Sequence, residues 1–304
     1  MTRPVLLFLF CLFCAAGPAL AQAGGSGMSF LKLGTSAQGI AMADAMSAHV
    51  TGSAATYYNP AGLQPVASHS GEILLMHKEW IQDTRTEVLS AAAALSPSQA
   101  LGLSINSTSV SDIEIRTRPG LPDGTFTSRN YAIGLTYAHR FSDHVVAGVT
   151  AKYLYEKILV DDASGLGFDI GVQYRPLVDG LSFGAVAANI GSMSALKTES
   201  STLPTTLKLG GAFQGRLESL SSDFTLASDL QFITPASQTL LAVGGELLFE
   251  EAVAARAGYL FGSEGRGFSA GLGVRHGIVG FDYAYAPLTS ELGSTHTFSL
   301  FVLL

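Results

Sequence analysis

VVAGVTAKYLYEK, residues 145–157, decides the fold of this 304-residue chain. In an extended segment Val145, Ala147, Val149, Ala151, Tyr153 and Tyr155 share one face, and Gly148, Thr150, Lys152 and Glu156 share the other. Period-two alternation places successive side chains on opposite sides of a strand. Here one side is apolar with aromatic ends, and the other is small or charged. The same division returns downstream. Leu166, Phe168, Ile170, Val172 and Tyr174 oppose Gly167, Asp169, Gly171 and Gln173. Phe224, Leu226, Leu230 and Phe232 oppose Thr225, Asp229 and Gln231, while Val279, Phe281, Tyr283 and Tyr285 oppose Gly280, Asp282 and Ala284.

A soluble β-sandwich also alternates, but its outer faces are rich in Lys, Glu, Thr and Ser. In this chain the non-apolar faces carry Gly, Ala, Ser and isolated charges. The chain is 47% apolar and only 13% charged, with 34 glycines, which is poor for a soluble domain and suits a wall that faces lipid. About fourteen alternating segments follow residue 70, an even number as a closed antiparallel bacterial barrel requires. The expected fold is an all-β membrane protein, a closed transmembrane β-barrel, occupying residues 70–304. Short connections near 139–143, 214–218 and 250–251 contrast with longer ones near 110–129, 190–204 and 286–295, giving the barrel two unlike ends.

The N-terminal residues set the compartment. Arg3 precedes an almost wholly apolar run from 5 to 16, and Ala19-Leu20-Ala21 stands before Gln22. That pattern predicts a secretory signal peptide over 1–21, too short to serve as a membrane span. Both cysteines, Cys11 and Cys14, fall within it, and Phe13 before Cys14 argues against a lipoprotein. The expected location is the bacterial outer membrane, with membrane lipid as the first partner. A net charge of −7 argues against nucleic acid.

Between leader and wall, residues 22–69 are rich in Ala, Gly, Ser and Thr. They include Tyr57-Tyr58-Asn59-Pro60-Ala61-Gly62, in which Asn59 before Pro60 favours extended backbone and Pro60 fixes φ. This region resembles the opening of the PorV/PorQ family. The resemblance rests on Phe30-Leu31-Lys32-Leu33-Gly34, on Ala37-Gln38-Gly39-Ile40-Ala41-Met42-Ala43-Asp44-Ala45 and on Ala55-Thr56-Tyr57-Tyr58-Asn59-Pro60-Ala61-Gly62-Leu63. It extends to His77-Lys78-Glu79-Trp80 and Pro122-Asp123-Gly124-Thr125-Phe126-Thr127. Those proteins are outer-membrane barrels similar to the FadL fatty-acid transporters. The resemblance implies an N-terminal hatch folded into the lumen, with the Asn59-Pro60 turn handing the chain to the first wall strand. Tyr57, Tyr58, Asn59, Pro60 and Gly62 are then the candidate residues of that junction, one tyrosine packed and the other hydrogen-bonded.

No catalytic constellation is present. The seven histidines lack zinc-site spacing, no serine sits in a Gly-x-Ser-x-Gly elbow, and Gly271-Leu272-Gly273 lies in a strand pattern. Asp161-Asp162-Ala163-Ser164-Gly165 reads as a solvated hairpin turn in preference to a calcium loop. We therefore expect no enzyme, no metal and no cofactor. Lys152, Glu156, Asp169, Lys208, Asp229, Arg256 and Asp282 fall on the small-residue faces and are expected in the lumen, since charge facing lipid is costly. Two functions remain open at this level. By resemblance, the barrel is an accessory of protein secretion, its partners being secreted cargo or subunits of the type IX secretion machinery. Alternatively it is a FadL-like transporter of hydrophobic small molecules, which requires an apolar pocket at the hatch.

Overall fold

The computed structural model describes residues 27–64, 69–81, 83–197, 199–234, 236–289 and 292–304; the expected leader lies outside the described residues. The wall opens with β1 (Gly71–Glu79), β2 (Thr84–Ser96), β3 (Gln99–Ile115) and β4 (Gly124–Arg140). It continues through β5 (Val145–Ile158), β6 (Asp161–Tyr174) and β7 (Leu181–Met193). A short hairpin of β8 (Ala195–Leu196) and β9 (Glu199–Ser200) stands apart from it. The wall resumes with β10 (Thr206–Leu217), β11 (Ser222–Ile233), β12 (Gln238–Phe249) and β13 (Val253–Phe261). It ends with β14 (Phe268–His276), β15 (Val279–Pro287) and β16 (Ser294–Leu303). Each wall strand pairs antiparallel with its neighbours, and β1 pairs with β16, from Glu72 opposite Leu303 to Glu79 opposite His296. The result is a closed barrel of 14 strands with no free edge.

The outer surface is that of a membrane protein. Leu135, Leu166, Leu209 and Leu272 are each more than half exposed, whereas Thr150, Leu154 and Asp169 on the opposite faces are fully buried. Aromatic pairs mark both margins of this apolar band: Tyr131 with Tyr155 and Tyr259 with Phe261 at one, Phe213 with Phe224 at the other. Connections at the end where β1 begins and β16 finishes are short, the longest being 175–180. The opposite end carries 116–123 and 194–205. Short turns belong to the periplasmic side and long loops to the exterior. The barrel is therefore a bacterial outer-membrane protein.

Three expectations about loops need correction. The loop expected at 110–129 is only 116–123, because β3 and β4 keep pairing beyond the apolar band. Residues there have no lipid-facing side, so the alternation that marks the wall fades while the backbone ladder persists. A register shift between Val110 and Ile113, with Asp112 at φ 57°, absorbs the change. The loop expected at 190–204 contains the end of β7 and the β8–β9 hairpin. Asp161 opens β6, and the chain reverses at 159–160.

Residues 27–64 fold inside the barrel. The short helix Ala37–Ala41 starts at Ser36, whose hydroxyl accepts from the Gly39 amide at 3.1 Å. Further single turns follow at Gly52–Ala54, Ala55–Tyr58 and Pro60–Gly62. Met42, Met46, Tyr58 and Leu63 are fully buried among wall residues such as Ala212 and Ala242, and Ile40 is fully buried beside Ala284 and Ala286. These turns are too short to persist alone, and packing against the wall holds them.

Candidate functional site

Polar side chains of the wall fasten the luminal plug. Asp229 on β11 accepts from the amides of Met46 (3.2 Å) and Ser47 (3.0 Å) and from the Ser47 hydroxyl (2.5 Å). Gln173 on β6 donates to the Val50 carbonyl at 3.0 Å. Asn59 donates to the carbonyls of Ser47 (2.6 Å) and Val172 (3.2 Å), while its side-chain oxygen accepts from the Ala61 amide. Near the periplasmic rim Glu72 accepts from both the amide and the hydroxyl of Ser53. Arg140 donates to Gln64 at 2.6 Å.

At β7, β12 and β13 the plug backbone lies directly against wall glycines. An added Cβ at Gly244 or Gly258 would fall within 2.6 Å of plug backbone atoms. Gly184 and Gly210, paired across β7 and β10, both face Ser47. Only glycine permits so close an approach.

The structure shows where each site residue read from the sequence lies. Asn59, Pro60 and Gly62 are buried inside the lumen, and their turn packs on β4, β5 and β6. The turn is thus seated against wall strands three to five places round the barrel from β1 and does not form the corner into the first strand. Alternation could not show this, because the partners Gly148 and Gly171 lie about a hundred residues away in sequence. The tyrosines also differ from expectation, since both hydroxyls are bonded. Tyr57 donates to the Leu31 carbonyl at 3.0 Å and Tyr58 to the Asp44 carboxylate at 2.9 Å. Their rings meet edge to face at 4.9 Å.

Lys152, Asp169, Lys208, Asp229, Arg256 and Asp282 all point into the lumen; all are buried except Arg256, which is half-buried, as is Glu156 near the outer end of β5. Lys152 pairs with Asp169 at 2.6 Å and donates to Asn189 at 2.8 Å, and Asp169 accepts from the Asn189 amide. Asn189 adopts φ 58° at a register shift between β6 and β7, which turns its amide inward. Arg256 bridges Glu246 (2.5 Å) and Asp282 (2.6 Å), and Gln38 of the plug donates to the same Glu246. Sequence reading missed Glu246, Glu72, Lys78, Asp44 and Arg266. Parity alone would have found the first three, since each shares the inward face of its strand.

Above the plug lies a cavity of about 370 Å³ open toward the exterior. Leu31, Leu33 and Tyr57 form its floor, and Trp80, Ile233, Leu240, Leu260, Leu288 and Leu292 supply apolar wall. Five cationic residues line it, Lys32, Lys78, Lys152, Lys208 and Arg266. Lys152 is matched by Asp169, and Arg266 holds Asp44 of the plug at 2.5 Å. Among the described residues no ion pair forms to Lys78 or Lys208. The Lys78 ammonium lies 5.5 Å from the Trp80 ring centre, and that of Lys208 lies 5.3 Å from Tyr57 and 5.9 Å from Tyr58.

Asp44 couples this vestibule to the plug. Burial raises its carboxyl pKa, but the charge and hydrogen bond of Arg266 and the Tyr58 hydroxyl outweigh that and hold it below its ordinary value. A depressed carboxyl contributes stability above its unfolded pKa and loses it as pH falls through the folded value. Hydrogen-exchange protection of residues 39–46, corrected for intrinsic rates, is expected to hold on acidification to the ordinary carboxyl range and to fall only below it. Asp44→Asn, which loses a charged hydrogen bond, is expected to weaken that protection by about 1.5–3 kcal/mol above the ordinary carboxyl range, and the gap to the wild type is expected to close as Asp44 itself becomes protonated at lower pH.

No protein-family profile matches the chain, and no curated protein matches its sequence. Solved structures do match its fold. CymD, a monoaromatic hydrocarbon channel, superimposes with a TM-score of 0.62 at 12% identity, over 89% of this chain and 96% of CymD. The Pseudomonas putida toluene transporter TodX gives 0.60 at 13% identity, over 89% and 96%. A Pseudomonas aeruginosa FadL homologue gives 0.55 at 11% identity, over 88% and 98%. The fold of this chain is that of the FadL-like outer-membrane channels.

Proposed function

We propose that this barrel is a non-enzymatic conduit admitting hydrophobic small molecules across the outer membrane, with the vestibule as its receiving site and residues 27–64 as its hatch. The observation that carries this reading is the cavity with an apolar floor of Leu31, Leu33 and Tyr57, the pocket that a transporter needs and a secretion accessory does not. Its volume suits a compact ligand. CymD and TodX, similar in fold, are named for hydrocarbon cargo, which agrees with an apolar lining. Lys78 and Lys208, without carboxylate partners, favour cargo whose apolar body ends in an acidic group. The secretion reading rests on the PorV/PorQ resemblance alone, and no feature of the described rim adds to it.

Trp80 is the only tryptophan of the chain and lines the vestibule, so its emission reports occupancy directly. Titration of the detergent-extracted barrel with toluene and with a medium-chain alkanoic acid is expected to shift Trp80 emission saturably for at least one of them. Lys78→Met with Lys208→Met is expected to weaken the acid by about tenfold or more, at 1.4 kcal/mol per decade, and the hydrocarbon little. A flat response to both ligands, with a secreted protein co-purifying stoichiometrically, would reverse the choice of function.

A further inference from the structure

Resting on that reading of the vestibule, a route beyond it can be traced. Two smaller cavities lie beneath the first on the inner faces of β2 and β3. One of about 30 Å³ is bounded by Thr56 and Tyr57 of the plug and by Val88, Ser90, Ser104 and Asn106 of the wall. Another of about 10 Å³ lies nearer the periplasmic rim, between Gly52 and Gln64 of the plug and Ala92, Ala94 and Ala100 of the wall. Tyr57 lines both the vestibule and the second cavity, as do Leu31, whose carbonyl accepts from the Tyr57 hydroxyl, and Lys152, so the Tyr57 ring stands at the boundary between them. Below it Leu63 and Thr56 fill the space over Gly102, where an added Cβ would lie 2.9 Å from one methyl group of each.

The two sides of the plug are thus sealed differently. Against β5, β7, β12 and β13 the seal is plug backbone on wall glycine, at Gly148, Gly184, Gly244 and Gly258, which no side-chain rotation can open. Against β2 and β3 the seal consists of side chains, which change rotamer on short timescales. A separate observation marks the same place as a site of transit. Asn106, 7% exposed, lines the second cavity, and its side-chain oxygen has no hydrogen-bond partner among the described residues. Such a group calls for water or the polar end of a passing molecule.

We propose that cargo descends from the vestibule to the periplasm between the plug and the inner faces of β2 and β3, with Tyr57 and Leu63 as two successive closures. The plug need not leave the barrel for this to occur. Ser104→Phe fills the second cavity from a position that does not line the vestibule. It is expected to abolish uptake of the ligand that shifts Trp80 emission while leaving that shift in place. Tyr57→Ala with Leu63→Ala removes both closures and is expected to raise single-channel conductance in planar bilayers severalfold. Uptake at the wild-type rate in Ser104→Phe, with binding intact, would overturn the route. So would a double variant that conducts no more than the wild type. The conductance measurement needs no ligand. A rise there with no Trp80 response in the wild type would refute the cargo reading and uphold the passage, and it decides the matter should Ser104→Phe fail to assemble.

Discussion

Gly184→Val is expected to unseat the plug while leaving the wall intact. An added Cβ on β7 enters the Ser47 carbonyl oxygen and comes within 2.8 Å of the Ala48 amide. Both are backbone atoms in a segment held by Asp229, Gln173 and Asn59, so they cannot swing aside as the end of a side chain can. Overpacking of this kind costs about 1–3 kcal/mol even where neighbours relax, and relaxation here means releasing several hydrogen bonds together. The wall has no matching problem, because the valine points inward and β-branched residues suit strands. Heat-modifiable mobility on denaturing gels should therefore persist, while outer-membrane permeability to bulky antibiotics rises sharply. A Gly184→Val barrel as tight as the wild type would show that the plug has slack the packing does not reveal.

Asp229→Ala should act on the same latch through chemistry. One buried carboxylate satisfies two amides and a hydroxyl of the plug. Its removal leaves those donors without an acceptor in a site that excludes water, at about 1–3 kcal/mol for each buried group. It also removes a negative charge that acts on Lys208. A total near 3 kcal/mol or more shifts the docked-to-undocked ratio by at least about a hundredfold. Limited proteolysis around residues 46–47 is the direct measurement. Asp229→Asn keeps one acceptor oxygen and should fall between alanine and wild type. Equal protection in all three would mean that apolar contacts of Met42 and Met46 hold the plug unaided.

The wall was legible because alternation is local. Residues 145–157 carry their two faces within themselves, and lipid outside with small side chains inside gives each face a distinct composition. That pattern also put Lys152, Asp169, Asp229 and Asp282 inside. It failed where the physics changes: beyond the apolar band β3 and β4 have water on both sides, so Ser111 or Thr127 signals nothing. The plug was less legible for another reason. Its contacts join residues far apart in sequence, such as Ser47 with Asp229 or Pro60 with Gly148, and no local period encodes them. The vestibule stayed hidden too, since Lys78 and Trp80 meet Arg266, Lys208 and Leu240 only when the barrel closes.

The seam between β1 and β16 has a consequence for assembly. The plug is joined to β1 through residues 65–70, and β1 is the strand whose pairing with the last wall strand completes the circle. Enclosing the plug and closing the wall are then a single event. The plug must already lie across the concave sheet when the two end strands meet, because no gap remains afterwards for a folded segment of its size. Weakening the seam, for instance with proline at Leu75, would therefore release the plug as well as the wall, whereas expelling the plug leaves the wall closed. The barrel is a container sealed around its own stopper.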